Sequence, residues 1–301
     1  MTTTGTQLQA HTRISLKNIL YATDFSAAAA AALPYVKGLS KQYGATVHAV
    51  HVRMPATYPI VGPEMMPQVI EAAEEQAKFE AQELHEMLAD IPHDVSVTEG
   101  LLWPTITDMI REKNIDLIVL GTRGRTGVGR ALLGSVAEEI FRRASCPVLT
   151  VGPHVSKETD RRLEMKEILY ATDLSPESLT ALPYAVSLAQ EHQARLTVLH
   201  VIGQREVGEL VHAENYVEST KRRLHQLVPA EAMAWCEPNF RVEQGHVAKK
   251  ILEVATALGA DLIVLGMDGS PGHRSTSIHL FRPTAHYVVT KAECPVLTVR
   301  G

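Results

Sequence analysis

Short apolar, β-rich runs alternate with longer helical patterns along the chain. In the first half the short runs fall near 17–22, 45–52, 93–99, 115–121 and 146–151, and the helical patterns near 26–43, 65–90, 103–114 and 135–144. Runs such as Leu117-Ile-Val-Leu120 are apolar throughout, as parallel strands covered on both faces are. Strands alternating with helices imply right-handed crossovers and a doubly wound parallel sheet. Such sheets hold their ligand crevice beyond the carboxyl ends of the strands, at the topological switch. The residues that follow each strand therefore matter most: Thr23-Asp24, Val52-Arg53, Gly100, and Gly121 onward.

The same order of elements occurs twice. Ile19-Leu-Tyr-Ala-Thr-Asp-Phe-Ser26 returns as Ile168-Leu-Tyr-Ala-Thr-Asp-Leu-Ser175, and Ala32-Leu-Pro-Tyr35 as Ala181-Leu-Pro-Tyr184. His51-Val52 returns as His200-Val201, Asp116-Leu-Ile-Val-Leu-Gly121 as Asp261-Leu-Ile-Val-Leu-Gly266, and Cys146-Pro-Val-Leu-Thr-Val151 as Cys294-Pro-Val-Leu-Thr-Val299. The offsets are 149, 149, 149, 145 and 148, so the halves are colinear and differ only by small changes in loop length. A whole domain is duplicated, as opposed to a short solenoid unit. The stretch from Gly152 to Met165 is polar, charged and contains Pro153, which is linker composition. The expected organisation is two tandem five-stranded α/β domains, 1–152 and 163–301.

Composition narrows the chemistry. The 301 residues carry a formal net charge of −5, with 45% hydrophobic and 21% charged positions. That is ordinary globular composition. A mildly acidic chain is a poor general binder of nucleic acid or anionic membrane, because phosphate contact needs clustered Lys and Arg. No run approaches the roughly 20 apolar residues of a membrane span, and the Thr-rich start, Met1 to Ser15, lacks a signal-peptide core. The expectation is a cytoplasmic protein that uses neither nucleic acid nor membrane. Three cysteines, Cys146, Cys236 and Cys294, without CxxC spacing fit reduced thiols.

The strongest candidate for chemistry follows the fourth strand: Gly121-Thr-Arg-Gly124-Arg-Thr-Gly127-Val-Gly129-Arg-Ala-Leu-Leu-Gly134-Ser135-Val136. Glycines let backbone N–H groups approach an anion without Cβ obstruction. Ser135 stands where a helix N-cap is expected, and the helix start offers open N–H groups and a positive dipole end. Arg123, Arg125 and Arg130 add charge for phosphate. A flexible surface loop leading into a Ser-capped helix is the plainer alternative. Neither GxxxxGK[ST] nor a GxGxxG after the first strand is present, so neither the Walker P-loop nor the dinucleotide fingerprint applies.

Gly121-x2-Gly124-x9-Gly134-Ser135 resembles the nucleotide loop of the ATP-binding universal stress proteins, and the resemblance extends through nearly the whole chain, once per half. It implies a Rossmann-like fold of the adenine nucleotide alpha hydrolase type, and ATP, with or without Mg, as cofactor. By resemblance, Ala22, Thr23 and Asp24 after the first strand lie at the adenosine side, and the backbone of Val52 meets adenine. Gly121, Arg123, Gly124, Arg125, Gly134, Ser135 and Val136 would hold ribose and phosphates. Plain readings stand beside these: a turn or cap carboxylate for Asp24, strand packing for Val52. Single-domain relatives pair through their last strands, here the Cys-Pro-Val-Leu-Thr-Val runs. A tandem chain would thus be a homodimer or an intrachain pseudo-dimer.

The second half keeps Asp173, Val201, Gly266 and Gly269 but loses the rest of the loop. Counting back from Cys294, Arg282 and Pro283 replace Gly134 and Ser135, and the loop is three residues longer. Arg restores a side chain where backbone approach is needed, and Pro removes a donor. The second domain is therefore expected to bind ATP weakly or not at all. Side-chain contact of an anion by His273, Arg274 and Arg282 is the minor alternative.

Other candidates carry less. The 14 histidines are scattered and show no zincin spacing. His51 and His200 hold equivalent places and suggest a structural role, and Arg142-Arg143 reads as a solvated helix face. Cys146 and Cys294 open apolar strands and read as inert. Functionally, a non-enzymatic stress-response regulator or chaperone-like binder switched by ATP leads. A slow ATP hydrolase or phosphotransferase and a nucleotide-free interaction scaffold are the alternatives.

Overall fold

A computed structural model describes residues 14–53, 64–122, 133–155, 164–203, 213–236, 238–267 and 281–301. The chain divides into two compact units, one spanning Ser15–Pro153 and the other built on His154–Gly301.

In the first unit the elements are β1 (Asn18–Ala22), α1 (Ala27–Tyr43), β2 (Thr46–Arg53), α2 (Met66–Leu88), β3 (His93–Glu99), α3 (Leu102–Glu112), β4 (Leu117–Gly121), α4 (Ser135–Arg143) and β5 (Val148–Val151). The five strands lie in the order β3-β2-β1-β4-β5, every pair parallel. The second unit repeats the plan with β6 (Glu167–Ala171), β7 (Arg195–Gly203), β8 (Asn239–Gly245), β9 (Leu262–Met267) and β10 (Val296–Arg300), ordered β8-β7-β6-β9-β10 and again parallel. Its helices are α5 (Pro176–Leu179), α6 (Leu182–His192), α7 (Ala213–Leu227), α8 (Ala230–Cys236), α9 (Val247–Leu258) and α10 (Phe281–Lys291). Each unit is the doubly wound α/β sheet that the alternating pattern predicts. Among the described residues no helix is long and apolar enough to cross a membrane.

Element ends shift from expectation for local reasons. The run at 146–151 starts pairing only at Val148, because Pro147 has no N–H and supplies a carbonyl instead, accepting from Ile118 N–H at 2.9 Å. The helix expected to reach 114 stops at Glu112, and Asn114 takes a left-handed φ of 48°. The central strands are covered on both faces: Ile19, Leu20 and Tyr21 of β1 and Ile118 and Leu120 of β4 are buried, as are Val36 of α1, Leu84 and Leu88 of α2, Ile106 of α3 and Ile140 of α4. Each such side chain contributes roughly 1.5–3 kcal/mol on burial, which is why these strands read as unbroken apolar runs.

The repeated polar residues build the frame. Asp116 accepts from the N–H groups of Lys17 (2.8 Å) and Asn18 (2.9 Å), tying the start of β4 to that of β1. Asp261 does the same with Lys166 (2.7 Å) and Glu167 (3.0 Å). The Tyr21 hydroxyl donates to the Ala29 carbonyl and the Tyr170 hydroxyl to that of Ser178, both at 2.9 Å, which pins the helix after each first strand.

The amino-terminal ends of the first sheet carry an acid-sensitive cluster. Asp90 faces Lys37 (2.7 Å) and Lys41 (2.6 Å), and those two ammonium groups hold its carboxyl far below the usual range. Asp94 is lowered by Lys113 at 2.8 Å and, to a lesser degree, by His48 at 3.3 Å, against an opposing cost of burial. A carboxyl whose folded pKa is depressed stabilises the fold above its unfolded value, and that stability is lost as pH falls. Denaturant titrations of the first unit are therefore expected to show midpoints falling from about pH 5 downward. The fall should be shallower in Asp94→Asn than in the wild type. A midpoint constant from pH 6 to pH 3 would contradict this.

Candidate functional site

The site is assembled at the switch point, where β1 pairs with β2 on one side and β4 on the other. The end of β1 turns sharply. Thr23 N–H donates to the Val50 carbonyl (3.0 Å), Phe25 N–H to Thr23 Oγ1 (3.1 Å) and Ser26 N–H to Asp24 Oδ1 (3.0 Å), while Ser26 Oγ caps α1 by accepting from Ala29 N–H (3.2 Å). Phe25 sits at φ 59°, a left-handed conformation costly for a bulky side chain. The second unit copies this turn: Leu174 N–H donates to Thr172 Oγ1 (2.9 Å), Ser175 N–H to Asp173 Oδ1 (2.9 Å), Ser178 N–H to Ser175 Oγ (3.1 Å), and Leu174 has φ 68°. The turn-carboxylate reading of Asp24 thus describes one of its oxygens, and the Tyr-Ala-Thr-Asp-x-Ser repeat is explained by architecture in both units.

Val52 lies past the end of β1. The β1–β2 register closes at Ala22↔Val50, with Val52 opposite Thr98 of β3. Backbone groups alternate in direction along a strand. Val50 faces β1, since its carbonyl accepts from Thr23, and Arg53 faces β3, since its carbonyl accepts from Gly100 N–H at 3.0 Å. The N–H and C=O of Val52 therefore point toward the β1 side, beyond the last paired residue. That backbone edge, unpaired with β1 among the described residues, is what an adenine-type heterocycle would use.

Gly121 ends β4 against the first turn of α1. A Cβ there would stand 2.2 Å from the Ala28 carbonyl oxygen. Gly266 is equally tight, its Cβ falling 2.4 Å from Ser178 Cα. Glycine at these positions serves helix–sheet approach, so its recurrence in both halves follows from packing. Next to Gly121, Thr122 donates from its N–H to the Val151 carbonyl (3.0 Å) and accepts from Gly134 N–H (2.8 Å), bringing the end of β4 beside the start of α4. Arg123, Gly124 and Arg125 lie outside the described residues.

The cap assignment needs a correction. Gly134, with φ −62° and ψ 152° and no side-chain cap bond, is the N-cap of α4, and Ser135 is its first helical residue. The chain is already extended at Gly134, and Glu138 N–H closes the first helical bond on the Gly134 carbonyl at 2.8 Å. The amides of Ser135, Val136 and Ala137 precede that bond and have no partner within the helix. Ser135 and Val136 are exposed. Ala22, Thr23, Asp24, Val52, Gly121, Gly134, Ser135 and Val136 are thus gathered along the carboxyl edge of β2, β1 and β4.

Sequence reasoning missed Thr122. It is 2% exposed, and its Oγ1 has no hydrogen-bond partner among the described residues. A buried hydroxyl left unpaired costs about 1–3 kcal/mol. The available signal was the contrast with Met267, which follows Gly266 in the second unit and is also buried. That unit differs at its helix start too. Helix α10 begins at Phe281, so Pro283 falls inside its first turn and removes one amide from the set that stays open in α4. His273, Arg274 and Gly269 lie outside the described residues.

Several further expectations can be placed. His51 Nδ1 bonds the Thr23 carbonyl and His200 Nδ1 that of Thr172, both at 2.9 Å, so these paired histidines brace the turn. Arg142 and Arg143 are exposed, as a solvated helix face should be, and Arg143 also stacks 4.6 Å over Trp103 and pairs with Glu139. Burial pushes the Cys146 and Cys294 thiols up to about 12, which leaves them protonated at neutral pH. A groove of about 820 Å³ lined by Lys249, Glu253, Thr256, Lys291 and Glu293 lies at the amino-terminal ends of β9 and β10, away from the switch crevice.

The family model described as the Universal stress protein family matches residues 15–152 and again 164–300. The chain belongs to this family. It is a tandem two-domain member. A universal stress protein of Mycolicibacterium smegmatis is 27% identical over 293 residues, 94% of this chain and 96% of that one. A universal stress protein of Thermus aquaticus is 36% identical over 140 residues, 45% of this chain and 98% of that protein. Among solved structures, a universal stress protein from Archaeoglobus fulgidus superposes with a TM-score of 0.64 at 20% identity, covering 94% of this chain and 98% of that one, which shows the shared fold.

Proposed function

We propose that the first unit binds ATP and that this universal stress protein acts as a nucleotide-switched binding protein, the second unit being a divergent domain with little or no affinity for ATP. The observation that carries the reading is the exposed start of α4. Its open amides stand beside Thr122 through the Gly134–Thr122 hydrogen bond, at the switch point between β1 and β4. A helix start of this kind favours phosphate through aligned N–H groups and a positive dipole end. The described residues fit the nucleotide: Val52 offers a backbone edge to adenine, and the unpaired Thr122 hydroxyl offers a buried donor or acceptor.

The reading is non-enzymatic. Phosphoryl transfer needs a positioned metal or base as well as a phosphate cradle. Among the described residues at the end of β1, Asp24 is the acidic side chain, and one of its oxygens accepts from the Ser26 amide. Mg would reach this site mainly as a companion of the phosphates. We further read the protein as cytoplasmic and assembled as a homodimer or intrachain pseudo-dimer, with an adenine nucleotide as its small partner and neither nucleic acid nor membrane.

Calorimetric titration of ATP into protein stripped of nucleotide by unfolding and refolding tests the proposal. One site per chain is expected, with turnover well below about 1 per second. Two equivalent sites would show that the second unit has been misread. No heat from a folded sample would favour the scaffold alternative, and turnover at ordinary enzyme rates would favour the hydrolase.

A further inference from the structure

The groove of the second unit is lined by small residues where the first unit has large ones. It lies between α9 and the end of α10 and has a volume of about 820 Å³. Leu252, Ala255, Ala260 and Cys294 make its lining mostly apolar. The duplication gives each lining residue a counterpart, 145 positions earlier along α9 and 148 earlier from α10 onward. Ala255, Thr256, Ala257 and Ala260 stand where the first unit has Ile110, Arg111, Glu112 and Ile115. Four long side chains have become short ones, all of them on this groove.

The charges changed with the volume. In the first unit Arg111 pairs with Asp108 at 2.8 Å, and Arg143 pairs with Glu139 at 2.9 Å and stacks on Trp103. Lys291 takes the place of Arg143, but Tyr287 stands for Glu139 and Ala248 for Trp103, so both partners are gone. Lys249, in the place of Pro104, is an added cation. Among the described residues neither ammonium group has a carboxylate within ion-pair distance. The two acids of the groove are engaged: Glu253 pairs with Lys250, and Glu293 accepts from Thr256 Oγ1 at 3.4 Å.

We propose that this groove is a binding site for a small amphipathic anion, an apolar acyl-type body whose carboxylate pairs with Lys249 and Lys291. Small-molecule sites have volumes of about 300–1,000 Å³ and are mostly apolar, with a few polar groups that fix orientation. The apolar body would displace water from the alanine-lined floor. The two uncommitted ammonium groups would form charge-assisted hydrogen bonds with the anion. Two free cations beside two engaged acids select an anion over a cation. The inference concerns the second unit alone and stands whether or not the first unit binds ATP.

The probe is dodecanoate, kept below the concentration at which it forms micelles. It is added to the full chain as wild type, as the double variant Lys249→Gln, Lys291→Gln, and as Ala260→Ile. All three positions are exposed or half-buried, so the fold should survive each change. By calorimetry the wild type should bind one dodecanoate per chain, and the backbone amide signals of Leu252, Ala255 and Gly259 should move in NMR spectra. The double lysine variant should lose about fivefold or more in affinity. Ala260→Ile, which restores the first unit's side chain, should lose about tenfold. Dodecylamine, with the same tail and the opposite charge, should bind more weakly than dodecanoate. Equal binding of dodecylamine, or wild-type affinity in both variants, would overturn the proposal. So would a groove that ignores dodecanoate but takes a synthetic helical peptide of Leu and Glu, which would make it a protein-docking surface. A chain dimer that Ala260→Ile splits would overturn it too, by placing a second copy there.

Discussion

Exchanging Gly134 for Arg and Ser135 for Pro together is expected to remove ATP binding from the protein while leaving it folded. The pair installs the second unit's residues at the start of α4. Gly134 has an ordinary extended backbone, φ −62° and ψ 152°, which Arg adopts without strain. Ser135 is the first helical residue, the position at which Pro is best tolerated. Binding has no such tolerance. Pro deletes an open amide at the dipole end, and the Arg side chain occupies the approach to the others. Each hydrogen bond to a charged group is worth about 1.5–3 kcal/mol, so losing two lowers affinity on the order of 100-fold or more. Calorimetry should fall from one site per chain to none, with the denaturation midpoint nearly unchanged. Undiminished ATP binding by the folded variant would place the phosphates elsewhere.

Gly121→Ala should act through the fold. Its Cβ would stand 2.2 Å from the Ala28 oxygen, 2.4 Å from the Ala28 carbon and 2.8 Å from the Ala29 nitrogen, all backbone atoms of the first turn of α1. That turn cannot yield alone, because Ser26 caps it and Tyr21 bonds the Ala29 carbonyl. Overpacking of this severity costs about 3 kcal/mol, so the first unit should unfold at clearly lower denaturant. Its displaced turn, which carries Asp24, should weaken ATP binding in step. Gly266→Ala meets Ser178 and Glu177 backbone in the same way and should destabilise the second unit to a similar degree, with ATP affinity kept. Wild-type unfolding by Gly121→Ala would show that α1 retreats without cost.

Much of this was legible in the sequence. Strand positions came from unbroken apolar runs, and those runs exist because β1 and β4 are buried on both faces. The duplicated order of five motifs located two domains. The helix start at Ser135 and the altered residues at Arg282 and Pro283 were visible as text.

The meaning of the repeated residues was not. Thr23 and Asp24 resemble binding residues, yet with Ser26 they hold a turn that the second unit forms equally well. Gly121 resembles part of a phosphate loop, yet its missing Cβ makes room for α1. Thr122 carried no signal beyond its contrast with Met267, because burial of a hydroxyl without a partner depends on distant segments closing around the side chain. The sequence by itself determined the elements, their order and the duplication, since these follow from local periodicity and from the apolar content of each run. Only the tertiary structure decided which polar residues are bound up in the frame and which are left over for a ligand, since that depends on what each donor and acceptor meets once the strands are aligned.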